Sequence, residues 1–201
     1  AAATDSFRLG EKRVALSGAL PTMPVILIPY KNCAEMMRTF EALEGEEAAL
    51  MYNKNQVSLE AAGVYMTSRL VSGVYPNYRQ IIPAHRKTRA EVSKRELLSA
   101  LKLANVFSDK FGQITMTVNP PEGLFEIVSR NQDTGENTSS VPATLEGENV
   151  SMSFNVKYLM DCMQSIPEES VTLSWNGSGK PLVVRGASDD SFTYLVMPMN
   201  R

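Results

Sequence analysis

The feature that most constrains the fold of this chain is an internal repeat at an offset of 126 positions. Two segments, at about residues 31–43 and 155–166, carry apolar residues at the i, i+3, i+4, i+7 spacing of an amphipathic helix. Every apolar position of the first segment matches one of the second at that offset. The matched pairs are Cys33 with Leu159, Met36 with Cys162, Met37 with Met163, and Phe40 with Ile166. A repeat of this length predicts two copies of one structural unit.

The segments around the two helices extend the repeat. Short strand-like segments lie at 25–28, 48–51, 57–60 and 66–71 in the first copy, and at 151–154, 171–175, 182–185 and 192–197 in the second. The second copy also has an earlier helix at about 93–107 and strands at 114–118 and 124–130. The counterparts of that helix and of the first of these strands would precede residue 1. We therefore expect one and a half repeats, with roughly 35 to 45 residues of the first copy missing.

The order of these elements predicts an α+β fold with antiparallel sheets and two helices in the complete unit. We expect a truncated unit at residues 1–75, a connector at 76–89 and a complete unit at 90–201. Pro76 and Pro83 fix φ and lack a backbone donor, so neither suits a helix interior or a central strand. The residues between them include Tyr78, Ile81 and Ile82, which is too apolar for a solvated linker. Such a connector is expected to pack between two bodies, where a crevice is a common ligand site.

The cysteines and the hydropathy pattern indicate the compartment. Cys33 and Cys162 are too few for a disulfide framework, and both fall on apolar faces of predicted helices, where a free thiol acts as a small hydrophobe. A reducing, cytoplasmic compartment fits this usage. No apolar run approaches the roughly 20 residues of a membrane span, so we expect no membrane partner.

The residue types that carry most enzyme chemistry are scarce or badly placed. His85 is the only histidine, which makes a His-based triad or a His-rich metal site hard to build. The carboxylate pairs, Asp189-Asp190 and Glu168-Glu169 among them, lie in turn-like polar stretches. No Walker loop, G-x-G-x-x-G or G-x-S-x-G is present. We expect no catalytic residues, no metal and no cofactor. A small-molecule enzyme of α+β fold stays the alternative, and a β-rich adhesive module is disfavoured by the amphipathic helices.

The outward faces of the predicted helices carry the cations Lys31, Arg38, Arg95, Lys102 and Lys157. Repeat-related helices that offer cations on one side could form a phosphate-facing surface that reads no sequence. Ordinary solvated helix faces explain the same pattern equally well. The net charge of −2 argues against a protein that grips nucleic acid with its whole surface.

Two apolar residues, Val106 and Phe107, stand at the end of the helix at 93–107. Only one of them can join the buried face of that helix. The other is a candidate for an exposed apolar contact with a partner.

Four motifs carry a resemblance to a known family. They are Thr-Asp-Ser-Phe-Arg-Leu at 4–9, Tyr-Pro-Asn-Tyr-Arg at 75–79, Phe-Asn-Val-Lys-Tyr-Leu at 154–159 and Val-Met-Pro-Met at 196–199. They resemble T-D-G-H-R-L, F/Y-P-D-Y, F-N-x-x-Y-L and V-M-P-M of the bacterial DNA polymerase III beta subunit, the sliding clamp, in the same order. The resemblance covers essentially the whole chain and matches the second half of the middle domain plus the complete third domain.

The resemblance implies a function without catalysis. Clamps of this family are head-to-tail homodimeric rings of six similar domains that encircle duplex DNA and tether the polymerase, with helices lining the hole and sheets outside. Because retention is topological, a mildly acidic protein is compatible with DNA. A fragment without the first domain is expected to be monomeric. The family also has a pocket between the middle and third domains, where polymerase, clamp-loader and repair proteins dock short linear motifs.

The resemblance assigns this pocket residue by residue. Its members are Thr4, Ser6, Phe7, Arg8 and Leu9; Pro76, Gln80 and Ile81 of the connector; and Phe111, Asn155, Tyr158, Pro181, Leu195, Val196, Met197, Pro198, Met199 and Asn200. Val106 and Phe107 match the apolar pair that packs against the first domain of the other protomer.

The chain departs from the family pattern at three places. Ser6-Phe7 stands where Gly-His is common, Gln80 where an arginine often sits, and Asn200-Arg201 where Arg-Leu is known. These changes bear on the motif preference of the pocket. We expect Phe7 to narrow one subsite or to add an aromatic wall.

Overall fold

The computed structural model describes residues 1–15, 24–43 and 47–199, so the predicted site residue Asn200 lies outside the described residues. The elements, in chain order, are β1 (Ala2–Thr4), β2 (Arg8–Lys12), α1 (Tyr30–Glu41), β3 (Ala49–Tyr52), β4 (Gln56–Ala61), β5 (Val64–Arg69), β6 (Thr88–Ser93), α2 (Lys94–Val106), β7 (Gln113–Asn119), β8 (Leu124–Asn131), β9 (Gly135–Ser140), β10 (Ala143–Gly147), β11 (Val150–Asn155), α3 (Val156–Met163), β12 (Ser170–Trp175), β13 (Leu182–Gly186) and β14 (Phe192–Val196). No helix in these ranges is long and apolar enough to span a membrane.

The chain divides into a larger unit, residues 1–15 and 78–201, and a smaller unit, residues 16–77. This division differs from the predicted one at residues 1–15, which were expected to group with the truncated unit. The reason is strand pairing, because β2 pairs with β14 of the larger unit. The pairing is antiparallel, with Arg8 opposite Val196 at one end and Lys12 opposite Phe192 at the other. In addition, β6 begins at Thr88, inside the predicted connector.

Within the described residues, the larger unit contains two antiparallel sheets and two α-helices. One sheet has the strand order β1-β2-β14-β13-β12-β6-β10, and the other has the order β11-β7-β8-β9. Alternation places every second side chain in the core, as in β7, whose Ile114, Met116 and Val118 are buried. The helices α2 and α3 contact each other and contribute to the same core. Within it the rings of Trp175 and Phe125 meet edge to face, with centroids 6.2 Å apart.

The smaller unit contains α1 and the antiparallel sheet β3-β4-β5. Its order of one helix and three strands is the order of α3, β12, β13 and β14 in the larger unit, and the strand neighbours are the same. The predicted repeat is therefore confirmed for the helix and the three strands that follow it. The strand predicted at 25–28 is wrong, because these residues form no strand, whereas their counterparts at 151–154 lie in β11.

The predicted apolar face of α1 is only partly correct. Of its four residues, Met36 is buried and Phe40 is half-buried, but Cys33 and Met37 are exposed. In the larger unit the matching face of α3 packs against α2. The smaller unit has a single helix within the described ranges, so no second helix covers that face. Strand β3 is likewise exposed along its length, whereas β12 pairs with both β13 and β6.

The two cysteines therefore differ in environment, which gives a testable difference in reactivity. Cys33 is exposed, whereas Cys162 is buried, donates its thiol to the Leu159 carbonyl oxygen at 3.2 Å, and has its pKa raised by burial to about 12. Because the thiolate is the reactive form, we expect Ellman's reagent at pH 8 to modify Cys33 rapidly and Cys162 only after guanidinium unfolding. A Cys33→Ser variant should lose the rapid phase; rapid modification of both thiols in the native wild type would contradict the burial of Cys162.

Candidate functional site

The first predicted motif forms a tight turn before β2. The Asp5 carboxylate accepts hydrogen bonds from the backbone N–H groups of Phe7, at 3.1 Å, and Arg8, at 3.0 Å. Thr4 donates its hydroxyl to the Arg8 carbonyl oxygen at 2.7 Å. Ser6 lies in the left-handed region, with φ of 75°, at the position where glycine is common in the family the chain resembles. The turn leaves the Phe7 side chain 61% exposed.

Arg8 connects this turn to α3. Its Nε lies 2.9 Å from Asp5 Oδ2 and its Nη1 lies 2.5 Å from Asp161 Oδ2. Its guanidinium carbon also lies 4.5 Å from the centroid of the Tyr158 ring, in a cation–π arrangement. Partial burial opposes ionisation of Asp5, but the bonds from Arg8 and the two backbone N–H groups outweigh it and lower the pKa of that carboxyl. These half-exposed ion pairs contribute little stability, but they hold the Arg8 guanidinium where it lies over the Tyr158 ring.

Asn155 caps the start of α3 and holds the loop that carries Phe111. Its Oδ1 accepts from the backbone N–H groups of Lys157, at 2.9 Å, and Tyr158, at 3.3 Å. Its Nδ2 donates to the Phe111 carbonyl oxygen at 2.8 Å. Gly112, at φ of 67°, brings the loop so close that a Cβ there would lie 3.4 Å from that amide nitrogen. The Phe111 ring stays exposed.

The C-terminal motif lies between the Phe7 turn and β11. The Met197 backbone N–H donates to the Phe7 carbonyl oxygen at 2.8 Å, and the Met199 N–H donates to the Ser153 carbonyl oxygen at 2.8 Å. Met197 is exposed, and Pro198 and Met199 are half-buried. The Val196 side chain is in the main core. The backbone of Phe7 is therefore bonded to that of Met197, and the side chains of both residues are exposed.

A small apolar cluster lies next to these residues. Leu9, Val183 and Leu195 are buried together, and Tyr78 and Ile82 pack against them. Pro181, just before β13, is also buried. Leu9, Pro181 and Leu195 were predicted to belong to the pocket, and all three are buried.

The remaining predicted residues are not joined to this group by a described contact. Gln80 and Ile81 are exposed at the end of the short 3-10 turn Tyr78–Gln80. Pro76 is exposed and belongs to the smaller unit. Val106 is exposed and Phe107 is half-buried, so neither side chain is fully buried.

The five predicted helix cations are all exposed. Lys31 and Arg38 lie on α1, and Arg38 forms an ion pair with Glu35 at 2.9 Å on the same helix. Arg95 and Lys102 lie on α2, and Lys157 lies in the first turn of α3. Exposure is compatible with both interpretations of these residues: a phosphate-facing surface and ordinary solvated helix faces.

A cavity of about 1120 Å³ lies elsewhere in the larger unit, at the C-terminal end of α2 and the β8–β9 hairpin. Its lining residues are Ser108, Asp109, Lys110, Arg130, Asn131, Gln132, Asp133, Gly135 and Glu136. The polar groups are already engaged: Asp109 accepts from the backbone N–H groups of Phe111 and Gln113, and Arg130 pairs with Glu136 at 2.9 Å. Across the described ranges, no three His, Cys, Asp or Glu side chains group as metal ligands would. Apart from Gly135, every residue that lines the cavity has a polar side chain, so the cavity offers no apolar side chain to a peptide.

Three residues around the site were not predicted from the sequence. Asp161 and Asp5 bind Arg8, and Glu11 contacts Tyr78. Asp5 could have been found from the sequence. An aspartate often accepts hydrogen bonds from the backbone N–H groups two and three residues later, and this is a common turn pattern. Asp161 follows Tyr158 by three residues, which places it on the same side of α3. Glu11 gives no sequence signal, since a carboxylate in an alternating strand is expected to face solvent.

Two family models match consecutive parts of the chain. The model of the C-terminal domain of the DNA polymerase III beta subunit matches residues 79–200, and the model of its central domain matches residues 1–77. Among curated relatives, the beta sliding clamp of Synechococcus elongatus is 29% identical over 201 residues, covering 98% of this chain and 54% of the relative. The beta sliding clamp of Staphylococcus aureus is 28% identical over 198 residues, covering 98% of this chain and 52% of the relative. The chain thus spans about half the length of these relatives.

Solved structures show the same similarity. The DNA polymerase sliding clamp of Bacillus subtilis superposes with a TM-score of 0.92 at 26% identity, covering 100% of this chain and 53% of that one. A Pseudomonas aeruginosa sliding clamp that was solved bound to griselimycin superposes with a TM-score of 0.91 at 25% identity. The match covers 100% of this chain and 54% of that one. The sequence motifs, the repeated α+β units and the two matched domain models agree. The chain belongs to the DNA polymerase III beta subunit family.

Proposed function

We propose that this chain is the part of a DNA sliding clamp that docks the clamp's protein partners. The observation that carries the proposal is the exposure of three apolar side chains, Phe7, Phe111 and Met197. The Met197 backbone N–H donates to the Phe7 carbonyl oxygen, and the Asn155 side chain donates to the Phe111 carbonyl oxygen. We propose that these side chains and Tyr158 line one groove, and that Gln80 and Ile81 border it and belong to the same docking site. The clamp of Pseudomonas aeruginosa was solved with griselimycin bound, which supports a ligand site on this fold.

The chemistry of the groove fits a short linear motif with apolar side chains. Exposed aromatic and methionine side chains provide contact area that adapts to different peptides. The hydrogen bonds made by their backbones reduce the ordering that binding would require. We therefore propose that polymerase, clamp-loader and repair proteins dock here through short motifs, each with an affinity on the order of micromolar. The groove performs no catalysis in this proposal.

The proposal is tested by calorimetry with the peptide Gln-Leu-Ser-Leu-Phe. We expect binding with a dissociation constant on the order of micromolar, weakened about 5- to 30-fold by Phe7→Ala or Met197→Ala, because each removes an exposed apolar anchor. Leu103→Ala is the matched control, since Leu103 is an exposed apolar residue on α2. An absence of binding, or equal losses in all three variants, would contradict the proposal.

The complete protein is proposed to be a homodimeric ring around duplex DNA, whereas this chain alone is proposed to be monomeric. Strand β9 ends its sheet, so one of its edges has no strand partner among the described residues. Val106 is 63% exposed at the end of α2, which contacts β9. A free strand edge beside an exposed apolar side chain suits a contact between protomers.

The helix cations Lys31, Arg38, Arg95, Lys102 and Lys157 are proposed to face the DNA.

A further inference from the structure

A carboxylate lies buried on β2, the strand that follows the Phe7 turn. Glu11 is on β2, opposite Thr193 of β14, and is only 2% exposed. Glutamate is almost never this buried unless it is paired, because the loss of water penalises its charged form. The position therefore demands partners, and the proposed function assigns it no role.

Three side chains satisfy this carboxylate. The Tyr78 hydroxyl donates to Glu11 Oε1 at 2.7 Å, and Arg13 contacts Oε2 through Nη2 at 2.6 Å and Nε at 2.9 Å. Arg79 Nε lies 3.8 Å from Oε1. Burial raises the pKa of Glu11, but the bonds from Tyr78 and Arg13 outweigh it, and the pKa is lowered overall. Glu11 is thus held as an ion with both oxygens engaged.

The partners of Glu11 place it under the connector turn. Tyr78 and Arg79 begin the 3-10 turn, and the Tyr78 carbonyl oxygen accepts from the Ile81 N–H at 2.9 Å. The Tyr78 ring and Ile82 pack on the small cluster that contains Leu9. The turn is therefore fixed by the carboxylate and by apolar packing, while Ile81 stays exposed between the fixed points.

We propose that Glu11 is a positioning residue for the groove. By holding Tyr78 and Arg79, it sets where the exposed side chains of Gln80 and Ile81 stand, without touching a bound peptide itself. This inference rests on the proposed function, in which Gln80 and Ile81 belong to the docking site.

The first test is hydrogen exchange of the Ile81 amide in the peptide-free protein. We expect Glu11→Leu and Tyr78→Phe each to accelerate this exchange about 10-fold, because each removes the buried hydrogen bond that fixes the turn. Glu11→Gln keeps an acceptor for Tyr78 and should give a smaller increase. Glu136→Gln, which removes an ion pair with Arg130 elsewhere in the larger unit, is the matched control and should leave Ile81 unchanged. Equal Ile81 exchange in wild type, Glu11→Leu and Tyr78→Phe would overturn the proposal.

The second test separates positioning from a general structural role. We expect Glu11→Leu to weaken binding of Gln-Leu-Ser-Leu-Phe about 5- to 20-fold, and to have little further effect in an Ile81→Ala background, because the position of a truncated side chain no longer matters. Equal losses in both backgrounds would overturn the proposal. If Glu11→Leu does not fold, Tyr78→Phe replaces it, and its effect on peptide binding is compared in the wild-type and Ile81→Ala backgrounds in the same way. If the wild type binds no peptide, the proposed function fails, whereas the exchange test still decides the role of Glu11.

Discussion

Replacing Met163 with alanine is expected to lower the free energy of unfolding of the larger unit by about 2–5 kcal/mol, the usual cost of emptying a methionine site in a core. The same change at Met37, its partner in the repeat, is expected to alter the stability of the smaller unit by no more than about 0.5 kcal/mol. The two methionines occupy matching positions on α3 and α1, but Met163 is 3% exposed and Met37 is 58% exposed. The difference comes from packing alone.

Each variant needs a probe of its own unit. Trp175, the only tryptophan, lies in the core of the larger unit, so its fluorescence in a urea titration reports the effect of Met163→Ala. Hydrogen exchange of the α1 amides reports the effect of Met37→Ala. A cost at Met37 that equals the cost at Met163 would show that the face of α1 is covered in solution and would contradict the exposure of Met37.

This pair shows what a repeat in the sequence can predict. The 126-residue offset identified the two helices and the strands that follow them, because side-chain spacing reports which face of an element is apolar. It could not show whether that face is covered. Burial depends on a neighbouring element, and α2 provides one for α3 in the larger unit. The apolar face predicted for α1 was therefore right as a pattern and wrong for Cys33 and Met37 as a statement of burial.

Strands without apolar alternation were missed for a related reason. Strand β9 has the sequence Gly-Glu-Asn-Thr-Ser-Ser and is largely exposed at the edge of its sheet. Such a strand is specified by the partner to which it bonds, here β8, and not by its own hydrophobicity. The same holds for β2, whose pairing with β14 joins residues 1–15 to the larger unit. Long-range pairing of this kind leaves no local signal.

The site was predicted from four sequence motifs. The structure shows contacts between some of these motifs but not between all of them. The contact of Arg8 with Tyr158 connects two of the four motifs within the larger unit, and the bond from the Met197 N–H to the Phe7 carbonyl oxygen connects a third. The polar residues that support them, Asp161 and Glu11, escaped prediction because an acidic residue on a surface helix or strand is ordinary in a sequence. Only the geometry shows that one binds Arg8 and the other is buried under Tyr78.

Asn155→Ala is expected to have the second large effect. The change removes the cap of α3, worth about 0.5–2 kcal/mol, and the bond to the Phe111 carbonyl oxygen, worth about 1 kcal/mol more. We expect the larger unit to lose about 2 kcal/mol of stability in a urea titration followed by Trp175 fluorescence. We also expect peptide affinity to fall about 10-fold, because Tyr158 and Phe111 are both held by this one side chain.

Asn155→Asp divides the two roles of this residue. An aspartate keeps the acceptor for the Lys157 and Tyr158 N–H groups and suits the positive end of the helix dipole. It cannot donate to the Phe111 carbonyl oxygen, so the loop should loosen while α3 stays capped. We therefore expect near-native stability, faster exchange of the Gly112 amide, and an affinity between those of wild type and Asn155→Ala. If Asn155→Asp matched Asn155→Ala in stability, the cap would not be the main contribution. If it matched wild type in affinity, the placement of Phe111 would not matter to the groove.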